Sequence, residues 1–100
     1  MTVPEITEDM LNEAKLWVGY SKNVFDEEIE QTMQACAIDL GNAGVVNIDF
    51  TDPLIKQAVK LYLKAQFRSD DGDNKFANAY EHLKKALALS SDYNTEVQDG

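Results

Sequence analysis

Apolar residues recur at helical spacing in four stretches of the chain. Met10, Leu11, Ala14, Trp17 and Val18 fall on one face and predict a helix over residues 7–18. Thr7 can cap it, Glu8 and Asp9 suit the positive end of its dipole, and Gly19 ends it. Ile29, Met33, Cys36, Ala37 and Leu40 form a stripe that predicts a second helix over 26–40, with Asp26 as N-cap and Gly41 as terminator. Ile38 lies on the opposite side of that wheel. Asp52 followed by Pro53 is a strong start signal for a third helix, running to about residue 68. Its Leu54, Ile55, Ala58, Val59, Leu61, Tyr62 and Ala65 cover more than a third of the circumference, as expected of the central helix of a bundle. The remaining strip carries Lys56, Lys60, Lys64 and Arg68, spaced four apart. Phe76, Tyr80, Leu83 and Leu87 predict a fourth helix over 73–89.

Two segments break this period. Val46, Ile48 and Phe50 alternate with Asn47 and Asp49, a strand-like pattern within residues 42–51. One short strand cannot pair with itself. The segment is therefore expected either to pack on the helices as a loop or to form an edge that meets another chain. Beyond residue 90 the pattern fades into polar residues. The expected fold is all-α: a small bundle of four helices, with an irregular, partly extended loop between helices 2 and 3. Residues 1–90 form the domain and 91–100 a flexible C-terminal tail.

Composition narrows the class. One hundred residues with a single cysteine, Cys36, suit one domain without an intrachain disulfide, in a reducing compartment. No apolar run approaches the ~18 residues needed to span a bilayer. No positive charge precedes an apolar run within Met1 to Glu8, so no signal peptide and no membrane partner are expected. The net charge of −9 disfavours nonspecific binding of nucleic acid. Residues 1–50 hold ten acids against two bases, and residues 51–100 eight acids against seven bases. An acidic half and a near-neutral half can complement each other between copies, or each can be plain solvated surface.

Candidate chemistry is sparse. Asp70-Asp71-Gly72-Asp73-Asn74 invites a calcium reading, and Glu81 stands at the twelfth position from Asp70, but Gly72 falls too early for an EF-hand. A polar turn with a helix cap is the expectation there. His82 lies off the apolar stripe of its helix and has no second histidine to share a metal. Cys36 sits within an apolar stripe, as a buried inert thiol does. Trp17 and Tyr62 read as core residues. No glycine-rich phosphate loop, metal cluster or paired-carboxylate motif stands out, so neither an enzyme nor a cofactor is expected. The lysine strip has three readings: a solvated face, a contact with an acidic neighbouring subunit, or a phosphate-binding face.

The run Asp52-Pro53-Leu54-Ile55-Lys56-Gln57-Ala58-Val59-Lys60-Leu61-Tyr62 resembles the signature of head–tail connector (adaptor) proteins of tailed bacteriophages, often called DNA-packaging proteins. Asp39-Leu40-Gly41-Asn42-Ala43-Gly44-Val45 resembles the end of that family's second helix. Phe76, Ala79-Tyr80-Glu81, Leu83-Lys84 and Leu87-Ala88-Leu89-Ser90 through Asp92-Tyr93 resemble its last helix and exit. The likeness spans roughly residues 7–93. Leu16-Trp17 departs from it, standing where many members carry leucine-arginine.

The resemblance implies a structural subunit, made in the host bacterial cytoplasm and carried in the virion at the head–tail junction. Copies would form a ring beneath the portal protein. The ring would extend the channel that double-stranded DNA traverses without sequence-specific binding, and offer a platform to head-closure or tail proteins. Under that reading Lys56, Lys60, Lys64, Arg68, Ile38, Ile48 and Phe50 are candidate subunit-interface residues. Asp92, Tyr93 and Val97 belong to a tail reaching toward the portal. Competing readings are a small helix-turn-helix DNA-binding regulator, which the acidic body disfavours, and an acidic inhibitor of a host factor.

Overall fold

A computed structural model of the chain describes residues 5–19, 25–67 and 75–95. These residues form five helices and no strand: α1 (Glu8–Val18), α2 (Asp26–Asn42), α3 (Pro53–Phe67), α4 (Lys75–Leu89) and a single turn, α5 (Ser91–Asn94). The fourth helix was expected to start at residue 73. That start lies outside the described residues, as does the polar turn around Gly72.

The helix ends show why the chain turns where it does. Thr7 Oγ1 accepts from Met10 N at 3.3 Å, and Gly19 takes a left-handed φ of 79° to close α1. Asp52 Oδ2 accepts from Leu54 N at 3.0 Å and Ile55 N at 3.1 Å, two donors that the first turn of α3 leaves without intrahelical partners.

Both predicted ends of α2 need correction. Phe25, not Asp26, occupies the N-cap position and offers no side-chain bond there. Asp26 is instead the first helical residue, its Oδ1 lying 3.0 Å from Lys15 Nζ of α1. Gly41 lies within the helix, and the terminator is Gly44, at φ 108°. Gly44 N donates to Gly41 O at 3.1 Å and Val45 N to Leu40 O at 3.0 Å. This bond pattern fits a left-handed glycine at 44, and it folds Val45 back onto Leu40, both fully buried.

α3 packs against α1, α2 and α4, as its broad apolar arc predicts. The predicted stripe of α2 is buried throughout, joined by Ala14 and Val18 of α1 and by Ile55, Ala58 and Val59 of α3. Two assignments on α3 change. Leu63 is fully buried, whereas Leu54 remains 46 % exposed. Leu63 stands on the flank where Lys56 reaches Glu13 of α1, and the opposite flank with Leu54 is less covered.

The alternating segment is a loop packed on the helices. Val45 and Phe50 are buried, Ile48 packs against the core and Val46 is half exposed. Asp49 Oδ1 accepts from both Thr51 N and Thr51 Oγ1, closing a tight turn just before α3.

Candidate assembly surfaces

A polar network runs from the interior to the surface between α2 and α4. Tyr80, 3 % exposed, donates its hydroxyl to Asp39 Oδ2 at 2.6 Å. Lys84 Nζ donates to the same oxygen and to Glu81 Oε2, each at 2.9 Å. Cys36 Sγ lies 3.9 Å from the Tyr80 hydroxyl, and Tyr62 meets the Tyr80 ring edge-on, with centroids 5.0 Å apart.

Burial pushes the Cys36 thiol up to about 12, so it stays protonated and unreactive in the folded chain. Burial likewise raises the Tyr80 hydroxyl, keeping it a donor. Burial also works against the Asp39 carboxylate, but the bonds from Tyr80 and Lys84 outweigh it and hold Asp39 below the usual carboxylate range. The arrangement clamps α2 to α4. Sequence spacing gave no hint of it, because its partners stand about forty residues apart.

A second network fixes the exit of the chain. Tyr93 Oη donates to Asp52 Oδ2 at 2.9 Å, the oxygen that caps α3. The Tyr93 carbonyl accepts from Val46 N at 2.8 Å and Asn47 N at 3.1 Å. Asn47 Nδ2 donates to Asp92 O at 2.9 Å and Thr95 O at 2.6 Å. Asp92 and Tyr93, expected in a flexible tail, are here tied to the loop before α3. The one sequence signal was an aromatic residue standing beyond a polar stretch. Val97 lies outside the described residues.

The three described lysines of the predicted strip have different surroundings. Lys56 Nζ lies 3.3 Å from both carboxylate oxygens of Glu13. Together these two residues help line a void of about 10 Å³ beside Trp17, Met33 and Phe50, at the lower limit for one water. Lys64 Nζ lies 5.5 Å from the centre of the Phe76 ring, a cation–π distance. Lys60 is half-buried, and Arg68 lies outside the described residues. Ile38 is 47 % exposed on the outer face of α2. Phe50, grouped with these residues on sequence, is only 4 % exposed: it serves the core and has little surface to offer a neighbour.

His82 stands on an open groove of about 530 Å³ between α3 and α4, floored mainly by Leu61, Ala79, Leu83 and Ala86. Among the described residues no group of three or more His, Cys, Asp or Glu is arranged to hold a metal. No helix among them is long and apolar enough to cross a membrane.

The features that stand out are thus a clamped helical body, an open apolar groove between α3 and α4, and acids concentrated on α2 opposite lysines on α3. The chain belongs to the phage connector protein family, whose model matches residues 10–94. No curated protein and no solved structure matches it.

Proposed function

We propose that this chain is the structural head–tail connector subunit of a tailed phage, acting by assembly and not by catalysis. Copies form a ring beneath the portal protein, extend the DNA channel and offer a platform to head-closure or tail proteins in the virion. The observation that carries this reading is the family match across residues 10–94.

The physical character of the chain supports it. A closed ring of identical subunits requires two different faces of each copy to meet. α2 carries five acids and no base, whereas α3 carries three lysines and no acid, so unlike faces are available. Ile38, Ile48, Lys56, Lys60 and Lys64 have surface to contribute to such an interface. A net charge of −9 gives passing DNA few cations to bind, so the duplex slides without being held. The tail from Asp92 onward contacts the portal, which requires the Tyr93 contacts to loosen or to be built into that interface.

Phage particles made without the chain test the proposal. DNA-filled heads that fail to join tails are expected, with joining restored when the chain is supplied. Tailed, infectious particles lacking the chain contradict it.

A further inference from the structure

We infer that the groove between α3 and α4 receives the outer face of α2 from a second copy of this chain. The inference rests on the connector reading only in taking the neighbour to be the next subunit of a ring.

The groove presents Leu61 from α3, and Ala79, Leu83 and Ala86 from α4, with Gln57 and His82 at its margins. Two of the α4 residues are alanines, which keep the surface low enough for another helix to approach closely. Lys60 and Lys64 each stand three residues beyond Gln57 and Leu61, and so border the groove on α3. Lys85 stands three residues beyond His82 and borders it on α4. Of the six lysines on α3 and α4, Lys56 is paired with Glu13 and Lys84 with Asp39 and Glu81, so Lys60, Lys64 and Lys85 are the cations that flank the groove.

The outer face of α2 has the opposite character. Glu27, Gln31 and Ile38 share that face at i, i+4 and i+11, with Ala35 between them. All four are exposed, and Ile38 is the large apolar residue among them. Two of the five acids of α2 are engaged within the chain, Asp26 beside Lys15 and Asp39 with Lys84. Glu27 and Glu28 are exposed and Glu30 is half-exposed, with Glu27 Oε1 accepting from Gln31 Nε2 one turn on at 3.4 Å. A helix with one apolar anchor, small neighbours and an acidic first turn matches an apolar groove with cationic rims in both shape and charge. The two surfaces lie on different helices of one copy, so a single contact leaves one of each unused and repetition by one rotation closes a ring.

Disulfide trapping of the full-length chain tests this. Ile38→Cys and Ala86→Cys are prepared as separate proteins, both positions being exposed and both folds checked by circular dichroism. Under mild oxidation the mixture should give a disulfide-linked dimer several-fold above either protein alone and above a control mixture of Leu16→Cys with Ala86→Cys. Lys60→Glu with Lys64→Glu in the groove partner should reduce trapping, and Glu27→Lys with Glu28→Lys in the α2 partner should restore it. A mixture giving no more dimer than the controls overturns the inference. Rings seen on the portal without the 38–86 bond overturn the groove contact but leave the connector reading standing. The 38–86 bond without any portal ring does the reverse.

Discussion

Tyr80 of α4, itself buried, donates a 2.6 Å hydrogen bond to Asp39 of α2, whose carboxylate reaches the surface. The hydroxyl is walled in by Cys36 and Tyr62, and the carboxylate also takes Lys84. A polar group this enclosed is costly to leave without its partner.

Tyr80→Phe removes the donor while keeping the ring in place. Asp39 retains Lys84, so the expected loss is about 1–3 kcal/mol of unfolding free energy, read from the urea midpoint at neutral pH. A stability equal to wild type would show that the bond is not a structural clamp.

Acid should loosen the same clamp. The folded chain holds Asp39 below its ordinary 3.8, so its contribution is fully present above that value and is lost as the pH falls through the lowered one. Wild-type stability should therefore fall more steeply below about pH 4 than that of Asp39→Asn, which has no carboxylate to protonate there. Urea midpoints for both proteins between pH 2 and pH 7 decide the point. Parallel curves would remove Asp39 from the account.

Asp52 has two duties that substitution can separate. Asp52→Ala removes the cap of α3 along with the Tyr93 bond, and should cost about 0.5–2 kcal/mol. Tyr93→Phe removes only the exit contact and should cost less, while speeding hydrogen exchange at the Val46 and Asn47 amides that bond the Tyr93 carbonyl. Unchanged exchange at those amides would mean that α5 is held without the hydroxyl.

Burial on α3 separates two leucines that its sequence pattern leaves alike. Leu63→Ala should cost about 2–5 kcal/mol, because the site is fully enclosed. Leu54→Ala, at a side chain 46 % exposed, should cost far less. Thermal or chemical denaturation of the pair checks this, and equal losses would contradict the packing described.

What the sequence revealed followed the range of the interactions. The α2 stripe from Ile29 to Leu40, the Thr7 and Asp52 caps and the Gly19 stop depend on neighbours within a turn or so, and a helical period displays them. Gly41 and Gly44 are three residues apart and equally plausible as stops. Only the fit of Val45 against Leu40 selects the second. Leu63 was obscured because the arc of α3 is wider than the surface covering it, and the pattern cannot tell which flank another helix takes. Tyr80 with Asp39, Tyr93 with Asp52 and Lys56 with Glu13 join residues about forty positions apart, and no local spacing encodes them. The family signature was legible for the opposite reason: it sits in the run opened by Asp52 and Pro53, where cap, core and lysines are consecutive.

Electron microscopy of the purified chain mixed with its portal protein tests the central claim most directly. The account predicts a ring of additional density coaxial with the portal, continuing its channel. A portal that gains no density, or that binds the chain off its axis, would contradict the connector role.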